Sequence, residues 1–170
     1  LLLVLVAVVA YRTWTYRTAT AVDLDIEIAA SPAFDHERVA RRLSEAVRIR
    51  TVSHQDAADN DATEWDRLHA WLQQTYPAAH AAMTREVVAG HTLIYTWPGS
   101  DASLPVVLLM AHQDVVPVSP GTEDDWKHPP FDGVIADGSV WGRGTIDDKG
   151  SLVSLFEALD ALAASGHAPR

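Results

Sequence analysis

Two stretches of this chain decide its fold: residues 106–118, which read VVLLMAHQDVVPV, and residues 139–151, which read SVWGRGTIDDKGS. The apolar run at residues 106–111 predicts a strand that helices cover on both faces. From Ser151 onward the apolar residues recur at helical spacing, and Gly166 is placed to end that helix. Together with the helices and strands predicted upstream, this pattern predicts an α/β fold.

Upstream of these stretches, the sequence predicts two helices and a hairpin. Asp35 is placed to cap a helix that continues to about Arg50, and a second helix spans residues 63–75. Pro77 is expected to stop or kink the second helix. Residues 85–88 and 91–97 predict two strands joined at Gly90. Residues 112–138 predict a long loop, which in a compact domain is typical of a functional site, and residues 139–141 predict a short strand.

The chain begins with an apolar run at residues 1–10, LLLVLVAVVA. At about 1.5 Å per residue it covers about 15 Å, half of a hydrocarbon core of about 30 Å. It is compatible with a truncated membrane anchor, with the apolar core of a cleaved signal peptide, or with a buried helix. Arg12, Arg17 and the aromatic residues near them favour the anchor. We therefore predict an anchor or signal segment at residues 1–17 and a linker at residues 18–34.

Composition excludes several classes of function. The chain has 170 residues, of which 48% are hydrophobic, so it can bury a core. The formal net charge of −10 argues against a nucleic-acid partner, which would require a basic face. With no cysteine, the chain contains neither a disulfide scaffold, nor a cysteine-ligated zinc finger, nor a thiol nucleophile.

The first candidate site is the pair His112 and Asp114, directly after the predicted buried strand. Ligands of α/β proteins bind at the carboxyl ends of strands, and residues i and i+2 of an extended segment point the same way. A carboxylate beside an imidazole can fix its tautomer, as it does around bound metals. The alternative is an aspartate that caps the loop beneath a packed histidine.

The second candidate is Asp147-Asp148-Lys149-Gly150, at the start of the last helix. A helix N-terminus favours carboxylates, so Asp148 could simply cap it. Neighbouring side chains in an extended turn point in opposite directions, so one aspartate could cap while the other faces a cleft. Carboxylate oxygen and imidazole nitrogen are both zinc ligands. The remaining histidines have no partner at ligand spacing, and we predict that they are surface or packed residues.

Taken together, these motifs resemble a known family. His-x-Asp after an apolar strand, then Pro-Phe-x-Gly, then Gly-Arg-Gly-x-x-Asp-Asp-Lys-Gly is similar to the zinc aminoacylase and carboxypeptidase S family of metallopeptidases. The resemblance covers about residues 35–170 and implies the N-terminal part of a zinc-peptidase catalytic domain, in which helices flank a mixed sheet. Its membrane-anchored branch, which includes N-acyl amino acid hydrolases, is the most similar in His112-Gln113-Asp114-Val115-Val116-Pro117 and in the apolar start.

The resemblance implies an activity and a set of site residues. The activity is zinc-dependent hydrolysis of an amide or peptide bond in N-acyl amino acids or small peptides with a free carboxylate. His112 would bind one zinc ion, Asp147 would bridge two Zn²⁺ ions, and Asp114 would be the catalytic residue that orients His112. The peptide bond between Asp147 and Asp148 would be cis. The enzyme would be anchored by a single membrane span, with its catalytic domain outside the cytoplasm.

The chain departs from the family pattern in what it lacks. In the family, the general-base glutamate and the other metal ligands come after the last helix of this chain. The lid or dimerisation domain is also absent from these 170 residues. We therefore expect residues 35–170 to be an incomplete, N-terminal part of a catalytic domain, inactive alone. The intact enzyme would form a homodimer through the missing domain. Two other interpretations stay open: an anchored binding module or pseudoenzyme, and a metal-free structural domain in which Asp147 and Asp148 only cap a helix.

Overall fold

The computed structural model describes residues 2–16 and 34–170. These residues belong to two separate compact units, and each is described by itself. The predicted linker at residues 18–34 lies, except for Phe34, outside the described residues.

The described residues form five α-helices and four short strands. The helices are α1 (Leu2–Thr15), α2 (His36–Val47), α3 (Ala62–Thr75), α4 (Pro77–Ala82) and α5 (Lys149–Ala164). The strands are β1 (Thr84–Val88), β2 (Thr92–Thr96), β3 (Val134–Ala136) and β4 (Ser139–Trp141).

Helix α1 is the whole of the described first unit apart from Tyr16. It has 14 residues, all of them exposed. Its length is about 21 Å at 1.5 Å per residue, less than a hydrocarbon core of about 30 Å. Among residues 2–16 and 34–170, no helix is long and apolar enough to cross a membrane. The predicted spanning anchor is therefore not supported, and the location outside the cytoplasm stays a prediction.

The two predicted helices of the second unit are confirmed as α2 and α3. The Asp35 carboxylate accepts a hydrogen bond from the backbone N–H of Arg38 at 3.0 Å, and so caps α2. The Asp61 carboxylate does the same for α3, with Thr63 as donor. Pro77 ends α3 and starts α4, because its missing N–H is tolerated in the first helical turn. Helix α4 is not predicted by the sequence pattern.

Both sheets are antiparallel hairpins. In the predicted hairpin, Thr84 pairs with Thr96, and the turn passes through Gly90 with φ of 90°. Strands β3 and β4 pair across Asp137 and Gly138, whose φ values are 53° and 72°. Two successive positive φ angles are typical of a two-residue hairpin turn. The predicted short strand is thus β4, whereas β3 lies where only loop was expected.

The core lies between α3, α4, α5 and the β1–β2 hairpin. The ring of Tyr76, from the α3–α4 junction, stacks on Phe156 of α5 with 5.2 Å between centroids. The buried members of this core are Ile49, Leu68, Leu72, Tyr76, Ala79, Met83, Leu152 and Phe156. The helix predicted from Ser151 is confirmed as α5, with its apolar face in this core.

The predicted buried strand at residues 106–111 is not formed. Residues 106–110 are exposed, Val106 by 94%, and no strand pairs with them in the part of the chain that the structure describes. Beyond the two hairpins, the only strand pairing among the described residues is one parallel bridge, between Val52 and Val115. The α/β class is confirmed, but the mixed sheet is absent from these residues, because a strand is defined by hydrogen bonds to neighbours that its own sequence does not supply.

Candidate active site

The segment that carries His112 and Asp114 is held by residues 51–53, which follow α2. The Val115 N–H donates to the Thr51 carbonyl at 2.9 Å, and the Ser53 N–H donates to the Val115 carbonyl at 2.9 Å. Val115 is buried, with 2% of its surface exposed. Side chains of an extended segment alternate between its two faces. Gln113 therefore points inward with Val115, while His112 and Asp114 face outward.

Gln113 fixes this segment from its inner side. Its Oε1 accepts a hydrogen bond from His69 Nε2 at 2.7 Å, and its Nε2 donates to the His91 carbonyl at 2.9 Å. Burial lowers the pKa of His69, although the hydrogen bond to Gln113 partly offsets the effect. His69 and His91 are packed residues, as predicted. Sequence reasoning missed the role of Gln113, which the alternation around His112 could have indicated.

His112 lies between Asp114 and Asp147. Its Nδ1 lies 3.0 Å from the Asp114 carbonyl oxygen and 3.3 Å from the Asp114 carboxylate. Its Nε2 lies 2.7 Å from Asp147 Oδ1, which is 35 positions away in the chain. Burial lowers the pKa of His112, but the hydrogen bonds from its ring to Asp147 and Asp114 outweigh burial and raise it. The structure therefore brings all three predicted site residues together.

The turn before α5 brings both of its aspartates to His112. The Asp147–Asp148 peptide bond is cis, as the family resemblance implied. Asp148 Oδ2 accepts a hydrogen bond from the His112 backbone N–H at 3.1 Å. Asp148 stands at the N-cap position of α5, yet its side chain makes no capping bond there. The structure therefore does not show the alternative in which Asp148 simply caps α5.

Lys149 is a second residue that sequence reasoning missed. It is fully buried at 0% exposure, and its Nζ donates to the carbonyl oxygens of Ala46, at 2.9 Å, and Ile49. Burial lowers the pKa of Lys149 to about 8. Both acceptors lie at the end of α2, so the side chain links α2 to the start of α5.

The donor atoms around His112 fit a cation. A carbonyl oxygen can only accept, so Nδ1 donates to Asp114, and in the neutral ring Nε2 is then an acceptor facing the Asp147 carboxylate. Two acceptors this close require a proton or a metal ion between them. Imidazole nitrogen and carboxylate oxygen are ligands that Zn²⁺ prefers. These residues thus fit zinc in their chemistry.

The donor set is incomplete for a catalytic zinc site. Such sites use about three protein ligands and leave one position open. Among residues 2–16 and 34–170, no group of three or more histidine, cysteine or carboxylate side chains is arranged to hold a metal ion. His112 and Asp147 therefore supply part of a site.

A cavity opens beside the His112–Asp147 pair. Its volume is about 270 Å³, and its walls include His112, Asp114, Asp147, Trp126 and Arg143. Trp126 and Arg143 also line a neighbouring cavity of about 800 Å³. The Arg143 guanidinium carbon lies 4.9 Å from the centre of the Trp126 ring. The candidate metal ligands therefore face a space large enough for a small organic molecule.

The sequence pattern of peptidase family M20/M25/M40 matches residues 108–170, which contain the whole His112–Asp147 arrangement. This chain contains part of an M20 peptidase domain. The resemblance to the aminoacylase and carboxypeptidase S family is therefore confirmed.

Curated relatives of this M20 chain are carboxypeptidases and an acyl-amino acid hydrolase. Carboxypeptidase S of Saccharomyces cerevisiae is 43% identical over 84% of this chain and 26% of its own length. A probable carboxypeptidase S-like protein of Dictyostelium discoideum is 39% identical over 78% of this chain and 25% of its own length. The human N-fatty-acyl-amino acid synthase/hydrolase is 38% identical over 79% of this chain and 27% of its own length. The M20 chain thus spans about a quarter of the length of these relatives.

Two solved structures resemble this M20 chain. Human carnosine dipeptidase 1 aligns with a TM-score of 0.58 and 25% identity, over 77% of this chain and 29% of that one. The M20 family metallo-carboxypeptidase of Sulfolobus solfataricus aligns with a TM-score of 0.56 and 25% identity, over 75% of this chain and 28% of that one. The α/β fold of the described residues is therefore that of part of an M20 peptidase.

Proposed function

We propose that this M20 chain supplies the first metal ligands of a zinc-dependent hydrolase that cleaves the amide or peptide bond of N-acyl amino acids or small peptides with a free carboxylate. The observation that carries the proposal is the 2.7 Å approach of His112 Nε2 to Asp147 Oδ1. The names of the relatives, which include a carboxypeptidase and an N-fatty-acyl-amino acid hydrolase, support the substrate class.

The roles of the site residues follow from their contacts. His112 would bind one Zn²⁺ through Nε2, and Asp147, whose carboxylate is exposed, would be a ligand shared by two ions. Asp114 holds the imidazole through Nδ1, which leaves Nε2 free for the metal. Bound Zn²⁺ supplies a Lewis acid that polarises the scissile carbonyl and activates water for attack. Asp148 holds the His112 backbone, and so keeps the two ligands at their observed separation.

The activity requires residues outside this chain. His112 and Asp147 are two ligands where about three are needed, and a general base for the attacking water has no candidate in the described cavity beyond these ligands and Asp114. The isolated chain is therefore inactive, and the full-length protein carries the remaining ligands and the base. Homodimerisation through a further domain stays a prediction.

The test compares two aspartate-to-asparagine variants of the full-length protein. Asp147→Asn removes a zinc ligand but keeps the size of the side chain. Asp137→Asn makes the same change in the β3–β4 turn, where the Asp137 carboxylate forms an exposed ion pair with Lys127. We expect Asp147→Asn to lose bound zinc and on the order of 100-fold or more in hydrolysis of an N-acyl amino acid, because removing even an outer-shell partner costs about 10–100-fold. His112→Ala should lose both as well, and Asp137→Asn should retain both.

Three results would contradict the proposal. Turnover that survives Asp147→Asn or His112→Ala would remove these residues from the site. A wild-type protein that holds zinc but hydrolyses neither N-acyl amino acids nor dipeptides would favour the binding module or pseudoenzyme. Zinc-dependent hydrolysis by the isolated 170-residue chain would show that no further ligand or base is needed.

A further inference from the structure

We propose that Lys149 is a positioning residue that holds Asp147 against His112 by joining the start of α5 to the end of α2. The inference rests on the proposed zinc site. In this proposal the buried ammonium of Lys149 contributes to metal binding by positioning a ligand, without contacting the metal or the substrate.

The side chain of Asp147 has little packing to hold it in position. It is 87% exposed, and its hydrogen bond within the described residues is the one to His112. Its position is therefore set by the backbone on either side of it. The Lys149 N–H donates to the Gly144 carbonyl at 2.9 Å, which closes the turn that contains both aspartates. Contacts that hold the position of Lys149 therefore also hold the backbone of Asp147, which lies in the same turn.

Lys149 is fixed by its side chain. Nζ is fully buried and donates to the Ala46 carbonyl at 2.9 Å and to the Ile49 carbonyl. The last carbonyls of a helix lack partners within the helix and carry the negative end of its dipole. Ala46 lies in the last turn of α2, and Ile49 lies just beyond its end. Their carbonyls also accept backbone N–H groups, from Ile49 at 3.2 Å and from Thr51 at 3.0 Å, and the Lys149 ammonium adds a charged hydrogen bond to each.

The same end of α2 also holds the other ligand. The chain leaves α2 through Ile49 and reaches Thr51, whose carbonyl accepts from Val115 and whose Oγ1 donates to the Gln113 carbonyl at 2.6 Å. His112 is thus attached to residues 51–53, and Asp147 is attached, through Lys149, to residues 46 and 49. Residues 46–53 thus hold both segments, in addition to the direct hydrogen bond from the His112 N–H to the Asp148 carboxylate.

The test is the zinc affinity of the full-length protein with Lys149→Met, measured by competition with a chromogenic chelator. Methionine keeps much of the side-chain length but cannot donate to the two carbonyls. We expect the dissociation constant for zinc to rise at least about tenfold. In metal sites generally, removing a group that orients a ligand weakens metal binding by about 10–100-fold. Lys149→Gln retains a donor, and is measured in the same way if Lys149→Met does not fold.

Two control variants separate positioning from general destabilisation. Lys127→Met makes the same change at an exposed lysine, and its zinc affinity should stay within about twofold of wild type. Glu157→Gln weakens α5 at the contacts with Arg42 and Tyr76, away from the turn. It should lower the free energy of unfolding while leaving zinc affinity unchanged.

The outcomes are distinct. A Lys149→Met protein that binds zinc as tightly as wild type overturns the inference. Equal losses of zinc affinity in Lys149→Met and Glu157→Gln also overturn it, because the effect would then follow the stability of α5. A wild-type protein that binds no zinc overturns the proposed function itself. Weaker zinc binding in Lys149→Met alone supports the positioning role.

Discussion

Gln113 is a neutral residue whose side-chain hydrogen bonds hold the segment that carries His112, a proposed metal ligand. Its amide joins α3, through His69, to the β1–β2 hairpin, through the His91 carbonyl. These bonds hold the inner face of the extended segment, so the outer face presents His112 at a fixed angle. The two hydrogen bonds of Gln113 therefore oppose rotation of the segment about its own axis.

Replacing Gln113 with leucine should lower the free energy of unfolding by about 2 kcal/mol, because it leaves the buried His69 N–H and the His91 carbonyl without partners. Urea denaturation of the full-length protein measures this change. Gln74→Leu, on the exposed face of α3, is the control and should change the free energy by no more than about 0.5 kcal/mol. Equal effects of the two substitutions would show that the Gln113 contacts do not stabilise the fold.

The approach of His112 to Asp147 could be predicted from sequence, but the partners of Gln113 and Lys149 could not. The spacing of His112 and Asp114 and the pair of carboxylates before a helix are local signals. The partners of Gln113 and Lys149 lie 44 and about 100 positions away along the chain. No local pattern around Lys149 indicates a buried ammonium, because its acceptors are backbone carbonyls that carry no sequence signature.

At the scale of elements, α5 joins the site to the core. Its first residue, Lys149, donates a hydrogen bond to the Ala46 carbonyl of α2. Phe156, about two turns further along α5, lies in the core. Glu157, buried at 5% exposure, accepts a hydrogen bond from Arg42 of α2 at 2.6 Å and one from the Tyr76 hydroxyl at 3.2 Å. Helices α2 and α5 are thus tied together at two points, Lys149 and Glu157.

Glu157→Ala should lower the free energy of unfolding by about 3 kcal/mol, because removing one partner of a buried ion pair leaves Arg42 uncompensated. Chemical denaturation checks this value. The control is Glu37→Ala, which removes an exposed ion pair with Arg41 on the same helix as Arg42 and should cost about 0.5 kcal/mol or less. A loss at Glu157 no larger than that at Glu37 would contradict the assigned role of the buried pair.

The helices were predictable because their signals are local. Apolar spacing, the cap at Asp35 and the glycine at position 166 are read from the chain itself. Strand β3 was missed although Asp137-Gly138 between apolar residues is a hairpin signal. The prediction of a strand at residues 106–111 was wrong for a different reason. Its apolar composition fits a covered strand, but pairing depends on other segments, and none of the described residues supplies them.

At the scale of the whole molecule, buried His69 makes stability depend on pH. Burial lowers the pKa of His69 below its usual 6.5, so the unfolded chain binds a proton that the folded chain resists. The stabilisation from neutral His69 is fully present above pH 6.5 and is lost as pH falls from there through the folded pKa.

We therefore expect His69→Gln, which does not titrate, to lose less stability than wild type between about pH 7 and 5. The difference in slope should be at most about 1.4 kcal/mol per pH unit. Denaturation curves of both metal-free proteins across this range measure it. A wild-type profile parallel to that of His69→Gln would contradict the burial of a neutral imidazole at this position.

The central claim is that His112 and Asp147 share a metal ion. Anomalous diffraction at the zinc edge, from crystals of the full-length protein grown with zinc, tests it most directly. The account predicts an anomalous peak about 2.0–2.2 Å from both His112 Nε2 and an Asp147 carboxylate oxygen. Zinc bound only elsewhere, or His112 and Asp147 turned apart with no ion between them, would contradict it.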